Sequence, residues 1–514
     1  MDDGGLAGRF RRGLDLGPHR TALRLGGMTY SYARLHETAL GLAAAAIGDG
    51  PPPARVGVLA SGTVTAYAGI LAAFYAGAAA VPLSPGFPAL RTRDMIAAAG
   101  LTEVIADEHG RAALSQSGGP PPGVRVISGG APSGPRPLSA PRPAGGSDIA
   151  YIMFTSGSAG RPKGVPISHR NLLGFLDAAQ ARYQIGPGDV LAQTFEPTFD
   201  LFMFGLFMAW GANAALAAVP PAVLGRLPRF AAREGLTVWF SVPGAIRLMH
   251  GLGGLQPGAL PTLTRSLFCG EPLTCADAGA WAAAAPNGPV ENLYGPTELT
   301  IACTAHRWRP GEAGVNGVVP IGVPFPGVRC LLAGDRSGAG PGDMDQNGTD
   351  QGELCVTGPQ MFGGYLDPAD DAGRFLEHAG TRWYRTGDRV RRLPGGTLAY
   401  LGRLDYQVKV RGYRVELLEV EHALRQCPGV SDCAVTVVPD SGGETALAAA
   451  YTGDPAAAAG LGRELAARLP GYMVPAIVCH RAELPVNANG KIDRLALAHW
   501  VRHTASGGPA EGSE

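Results

Sequence analysis

Hydrophobic positions along the chain come in short, closely spaced runs. Over 55–81, apolar stretches alternate with Gly and Ala, the pattern of strand–helix–strand packing. Within it, the span 64–83 is nearly uncharged and long enough to raise a membrane crossing. Gly69, Gly77 and Pro82 predict instead a buried helix that turns into a strand. An apolar strand is predicted over 149–154, feeding directly into a Gly-rich turn. Further apolar runs at 214–219, 236–242 and 263–268 are separated by helix-like segments, and this alternation predicts α/β layers. The Gly-, Pro- and Ser-rich stretch 117–147 reads as a loop, and 337–352 as a solvated hairpin insertion.

Near residue 405 the pattern changes. A compact region follows, with a strand predicted over 407–411, a helix over 416–426, a strand over 433–438 and a helix over 461–469. At 514 residues the chain is too long for one compact core. The expected organisation is a large N-terminal α/β core over 1–404, a small mobile α/β domain over 405–503 and a disordered tail over 504–514.

Composition narrows the function classes. Basic and acidic residues both number 43, so no net field draws in nucleic acid or anionic lipid. The first residues are acidic and polar, unlike a signal peptide. Eight cysteines lie scattered without C-x-x-C pairs or metal-ligand spacing, which fits a reduced, cytoplasmic enzyme. Of the 43 basic residues only Lys163, Lys409 and Lys491 are lysines. Either codon bias left three survivors, or lysine persists where a compact point charge is needed and arginine's planar fork cannot serve.

The turn after the 149–154 strand reads Thr155-Ser156-Gly157-Ser158-Ala159-Gly160-Arg161-Pro162-Lys163-Gly164. Its glycines let backbone N–H groups approach a ligand closely, its hydroxyls add donors and Lys163 adds charge. That chemistry suits a polyphosphate, although a flexible surface turn would also read this way. The spacing is not that of a P-loop, and Pro162 and Gly164 oppose a helix starting there.

This segment resembles the phosphate-binding signature of adenylate-forming enzymes: acyl-CoA synthetases, luciferases and the adenylation domains of nonribosomal peptide synthetases. The resemblance continues in order along the chain. It takes in Ala76-Gly77-Ala78 through Val81-Pro82-Leu83, then Asn292-Leu293-Tyr294-Gly295-Pro296-Thr297-Glu298. Gly352-Glu353-Leu354 with Gly363-Gly364-Tyr365 comes next, followed by Tyr384-Arg385-Thr386-Gly387-Asp388. The stretch 402–412 from Gly402 to Gly412 and Asn489-Gly490-Lys491-Ile492-Asp493-Arg494 complete the set.

The resemblance implies ATP and Mg²⁺ as cofactors and a role for each motif. Thr155, Ser156, Gly157, Ser158, Gly160 and Lys163 would hold the β- and γ-phosphates. Ser158-Ala159 departs from the Thr-Thr more usual there, so Thr155 is the firmer ligand of the two. Glu298 would ligate Mg²⁺, with Thr297 and Gly295 beside it against phosphate. Tyr294 offers a face for adenine, or is a core aromatic; Asn292 can hydrogen-bond the adenine edge. Asp388 would clamp the ribose hydroxyls, supported by Arg403. Lys491 would be the catalytic lysine, bridging the substrate carboxylate and the α-phosphate. Asp405 sits at the hinge position about which the C-terminal domain turns between half-reactions. Gly412 would then face the incoming thiol. Lys409 fits either an exposed strand lysine or a residue of the thioester step.

Asp200 follows an aromatic, Phe199, in a stretch of Phe, Leu and Met. In amino-acid-activating members an Asp here pairs with the substrate ammonium, although it could also cap a helix beginning at Leu201. Read by register, the rest of the pocket is Leu201, Phe204, Ser241, Leu267, Cys269, Leu293, Ile301 and Ala302. This lining disfavours a charged substrate side chain. Proline is the first expectation, and a β-amino acid remains open. The expected function is ATP-dependent formation of an aminoacyl-AMP, then transfer to the phosphopantetheine thiol of a separate carrier protein. The alternative is an acyl-CoA ligase for a non-amino acid. Only 23 residues follow Lys491 and no condensation domain precedes the core, so a free-standing enzyme is expected, with neither nucleic acid nor membrane as partner.

Overall fold

The computed structural model describes residues 5–130, 137–157, 160–334, 350–405, 407–440, 444–485 and 492–505. They separate into two compact units. The larger is drawn from Met1–Pro85, Ile96–Phe154 and Gly164–Leu404; the smaller gathers Gly86–Met95, Thr155–Lys163 and Asp405–Glu514.

In the larger unit a nine-stranded sheet has six parallel strands at its centre. Their order is Val290–Tyr294, Arg265–Phe268, Val238–Ser241, Val190–Gln193, Ala215–Ala218 and Thr21–Leu25. The strands are short and nearly all buried, as parallel strands covered on both faces must be. Antiparallel strands close both edges, Thr304–Arg307 and Val323–Pro324 on one side and Met28–Ser31 on the other.

A six-stranded sheet runs Arg125–Ser128, Glu103–Ala106, Arg55–Leu59, Ala79–Leu83, Ile149–Thr155, Lys163–Ser168. The uncharged span near its start is a helix, Val64–Tyr75, followed by the strand Ala79–Leu83. Every residue from Thr65 to Tyr75 is buried, which accounts for the missing charge. Among the described residues no helix is long and apolar enough to cross a membrane. Trp210 meets Phe10 and Phe207 edge-on in this core, and Phe74 packs tilted against Phe207; truncating one to Ala costs about 3–5 kcal/mol. The stretch 117–147 is not all loop, since Arg125–Ser128 pairs in parallel with Glu103–Ala106 as an edge strand. A third, antiparallel sheet holds Arg329–Ala333, Gln351–Thr357, Thr381–Arg392, Phe375–His378 and Leu398–Arg403. The 337–352 insertion lies mostly outside the described residues; its flanking strands pair from Ala333 opposite Glu353.

In the smaller unit, Gln407–Val410 and Tyr413–Glu416 form a hairpin. Arg411, read as strand in the sequence, is instead the first turn residue: it has φ 50° and Gly412 has φ 83°. A two-residue type I′ turn requires positive φ at both positions. Leu417–Arg425 packs on the antiparallel pair Val430–Pro439 and Thr445–Gly453, which Ile477–His480 joins in parallel. Val415, Val420, Leu424, Val435, Ala449, Leu461 and Leu465 make its core. Thr504 and Ala505, assigned to the tail by sequence, close the helix Arg494–Ala505, whose Leu497 and Val501 are buried. The helix holds because that apolar pair, one turn apart, packs on the sheet.

Candidate active site

The strand Val290–Tyr294 ends in a turn that only glycine permits. A Cβ on Gly295 would stand 2.6 Å from the Ala302 Cα and 2.9 Å from the Ile301 oxygen, both backbone. A short 3₁₀ turn, Thr297–Leu299, follows. Thr300 and Ile301 then adopt φ of 56° and 73°. Two successive β-branched residues in the left-handed region are costly, and such strain persists only where the surroundings impose it. Gln360 imposes it here. Its Nε2 donates to the Ala302 carbonyl at 2.7 Å, and its own carbonyl accepts from Thr300 Oγ1 at 2.6 Å. Glu298, at the centre of this turn, is fully buried and accepts the Tyr365 hydroxyl at 2.5 Å.

Asp388 lies on the long strand Thr381–Arg392, opposite Arg403. Arg403 Nη1 donates to one carboxylate oxygen at 2.9 Å and the Tyr294 hydroxyl to the other at 2.5 Å. Burial first, and then the Asp388 charge, push the Tyr294 phenol well above its ordinary value, so it stays a donor. The approach to Asp388 is itself anchored. Thr386 Oγ1 donates to the Leu354 carbonyl at 2.8 Å and accepts the Asp388 amide at 3.1 Å. Glu353 binds the Arg385 guanidinium and accepts the Gly387 amide at 3.2 Å. The Gly-Glu-Leu motif thus shapes the Asp388 strand. Asn292 is buried, and its Nδ2 donates to the carbonyls of Val319 and Pro320 at 3.2 and 3.0 Å. What that amide retains for a ligand is its acceptor oxygen.

Asp200 stands at the N-cap of the helix Leu201–Gly211, yet its side chain makes no capping bond there. The residue is 6% exposed. Burial, and then the Asp200 charge, push the Tyr151 phenol well up; its hydroxyl, also buried, has no hydrogen-bond partner among the described residues. Leu201, Phe204, Leu267, Cys269, Leu293, Ile301 and Ala302 all fall in one apolar cluster, with Phe204 against Phe240 at 4.8 Å. A void lined by Phe195, Leu201, Phe204, Gly205, Phe240 and Gln193 is too tight to admit a water molecule. Ser241 differs from the other lining residues. Its hydroxyl accepts from Trp239 Nε1 at 2.9 Å and donates to the Val242 carbonyl at 3.0 Å, so its one donor is spent.

The remaining candidates belong to the smaller unit. Thr155 closes its strand, half-buried. Ser156 Oγ donates to the Arg414 carbonyl at 2.8 Å and accepts the Glu416 amide at 3.1 Å. A Cβ on Gly157 would meet the Arg161 oxygen at 2.2 Å, and Gly160 has φ 77° with His422 where its Cβ would go. The Gly157 amide donates to Glu419 Oε2 at 2.9 Å, and the other oxygen of that buried carboxylate pairs with Arg91 at 2.6 Å. Lys163 is buried at the start of Lys163–Ser168. Asp405 Oδ1 accepts the Gln407 amide at 3.2 Å, and Lys409 is exposed on its strand. Ser158 and Lys491 lie outside the described residues.

The motifs did not announce Tyr365 as the partner of Glu298, Gln360 as the brace of the strained turn, Tyr151 beside Asp200, or the Arg91–Glu419 pair behind the loop. Tyr365 was within reach of the sequence, since it closes a recognised motif. The Arg91–Glu419 pair spans 328 positions and leaves no local signal.

The family described as AMP-binding enzyme matches residues 10–366, and the AMP-binding enzyme C-terminal domain matches 419–491. A curated relative, the L-proline--[L-prolyl-carrier protein] ligase of Streptomyces coelicolor, is 35% identical over 471 residues, covering 86% of each chain. The crystal structure of IdnL7 is 45% identical with a TM-score of 0.73, covering 98% of this chain and 99% of that one. The Vibrio cholerae adenylation domain AlmE, solved with glycyl-adenosine-5'-phosphate, is 26% identical with a TM-score of 0.83, covering 98% of each. The chain spans only 19%, 6% and 8% of the length of the first three curated relatives it matches.

Proposed function

The chain belongs to the AMP-binding enzyme family, and from that premise we propose that it activates an amino acid with ATP and transfers the product to a carrier-protein thiol. The observation that carries this reading is Asp200. Asp200 is a carboxylate 6% exposed at a helix start that its side chain does not cap, and a buried negative charge so placed suits a cationic ligand. The ammonium of an amino acid is such a cation. The tightly filled apolar pocket favours a small or medium neutral side chain, with proline first.

The reaction joins a carboxylate to the α-phosphorus of ATP and releases pyrophosphate, giving aminoacyl-AMP. Two anions must approach, so charge neutralisation and positioning dominate. In this reading the loop from Thr155 to Lys163, Ser158 included, holds the outer phosphates through backbone N–H groups and the Lys163 charge. Tyr294 flanks adenine, the Asn292 oxygen accepts from its amino group, and Asp388 takes the ribose hydroxyls. Lys491 bridges the two reacting anions, and Asp405 is the hinge for the thiol step, with Gly412 facing the thiol.

Among the described residues no group of three or more His, Cys, Asp or Glu could hold a metal by itself. Mg²⁺ bound mainly by substrate phosphates and water needs only one or two carboxylates, and Glu298 fits that role. Bound there, the ion would neutralise phosphate charge.

The test is amino-acid-dependent pyrophosphate exchange across a panel of proline, glycine, alanine, serine, cysteine, a β-amino acid and their desamino analogues. Exchange with one small neutral amino acid, followed by loading of a phosphopantetheinylated carrier, is expected. Strong exchange with desamino acids alone would overturn the reading in favour of a ligase for non-amino acids.

A further inference from the structure

The amino ends of the same parallel strands carry a second cavity, of about 320 Å³. It is bounded by the end of the helix His169–Tyr183, by the starts of Arg265–Phe268 and Val290–Tyr294, and by the end of Thr304–Arg307. Of the candidate substrate contacts, Leu267 also lines this cavity, while Cys269 and Leu293 sit farther along these strands, toward their carboxyl ends.

Three arginines line this cavity: Arg182, Arg265 and Arg307. Between them lies Glu291, fully buried. Its carboxylate is filled by Arg182 Nε at 2.7 Å, Arg307 Nε at 3.1 Å and the Tyr183 hydroxyl at 3.2 Å. Each of the two guanidiniums meets Glu291 through Nε, so neither spends its paired Nη groups on that carboxylate. For Arg307, whose side chain is 58% exposed, Glu291 is the sole acidic partner among the described residues. Arg265 is more engaged, with Asp189 at 3.2 Å and the Gln184 carbonyl at 3.3 Å.

The three arginines outnumber the two carboxylates they meet, Glu291 and Asp189, by one positive charge, and Arg307 and Arg182 are oriented by a rigid, shared anchor. Arginine forks held this way match the geometry of a phosphate, bidentately and with charge assistance. A phosphate-type oxyanion carries at least one full negative charge near neutrality, which that excess meets. The volume exceeds what inorganic phosphate fills and lies in the range of small-ligand pockets. We propose that this cavity is a second ligand site, one that takes a phosphate-type oxyanion.

The probes are inorganic phosphate and glycerol 2-phosphate, titrated calorimetrically into the full chain at constant ionic strength set with chloride. Binding is expected in the wild-type protein and in Lys163→Gln. It should weaken roughly tenfold in Arg307→Gln and partly in Arg307→Lys, because a charge-assisted pair is lost or loses its fork. Glu291 keeps Arg182 and Tyr183 in the two Arg307 variants, and unchanged pyrophosphate exchange reports that those two fold. Tighter binding of glycerol 2-phosphate assigns the site to organic monoesters, and the reverse order to free phosphate. Equal affinity in wild type and Arg307→Gln would overturn the proposal. So would loss of binding in Lys163→Gln alone, which would put the anion on the phosphate loop, or a response that chloride reproduces.

Discussion

In the larger unit the candidate carboxylates are gripped by donors. Asp388 takes a hydroxyl and a guanidinium, and Glu298 takes a phenol. In the smaller unit the polarity is reversed, because a donor of the phosphate loop is gripped by a carboxylate, Glu419. The first arrangement is preorganisation, in which acceptors are fixed before a ligand arrives. The second is competition, since an anionic ligand claiming the Gly157 amide must displace a like charge. If these residues hold a nucleotide as proposed, its affinity is set by two opposed costs, one met during folding and one deferred until binding.

The largest effect should come from breaking the carboxylate's own support. Arg91→Ala leaves Glu419 buried without its cation, and such a loss costs about 3–5 kcal/mol. Denaturant unfolding should show that loss in a transition of the smaller unit; a change below about 1 kcal/mol would mean the pair is not structurally required. Asp200→Asn tests the larger unit. It should lower kcat/KM for the amino acid by about 100-fold while moving the KM for ATP by less than about threefold. Equal losses in both would assign Asp200 to the scaffold.

Tyr365→Phe removes one hydrogen bond to a buried charge, worth about 1.5–3 kcal/mol, so roughly a tenfold fall in kcat is expected. If Glu298 were already held elsewhere, kcat would not change. Glu419→Gln keeps the shape and removes the competing charge. The KM for ATP should fall a few-fold, at some cost in stability; a raised KM would show that Glu419 helps the loop rather than competes for it. A separate effect concerns pH. Burial pushes the Cys355 thiol up to about 12. A thiol that holds its proton more tightly when folded contributes stability below its unfolded value of about 8.5. That contribution is lost as pH climbs from there toward 12, by up to about 1.4 kcal/mol per pH unit. Cys355→Ala should lower this alkaline slope by one thiol's share, with Cys303, Cys330 and Cys433 keeping theirs, measured by denaturant melts between pH 8 and 10.

What the sequence disclosed follows the same division. Runs such as Val64–Tyr75 and Ile149–Thr155 are long and apolar enough for pattern to dictate their state. Arg125–Ser128 is four residues at a sheet edge, flanked by Pro and Gly, and its apolar content is too brief to show a period. The Arg411 turn was hidden because a β-branched neighbourhood masks a residue that adopts positive φ. At the candidate site, Tyr294, Glu298, Asp388 and Asp200 could be singled out because each sits in a fixed local wording. Their braces could not. Gln360 is about sixty positions from the turn it holds, and Arg91 is more than three hundred from Glu419. Contacts of that span are set by the fold, and no local pattern carries them.

The left-handed pair Thr300–Ile301 has a consequence for laboratory evolution of the pocket. Substitutions at a lining position ordinarily trade stability for a new specificity. At Ile301 part of that loss is offset. Glycine there would leave a cavity, since Ile301 is buried, yet it would also relieve a left-handed backbone conformation. Libraries seeded with Ile301→Gly should therefore lose less stability than libraries seeded with Leu267→Gly, where the same widening relieves no strain.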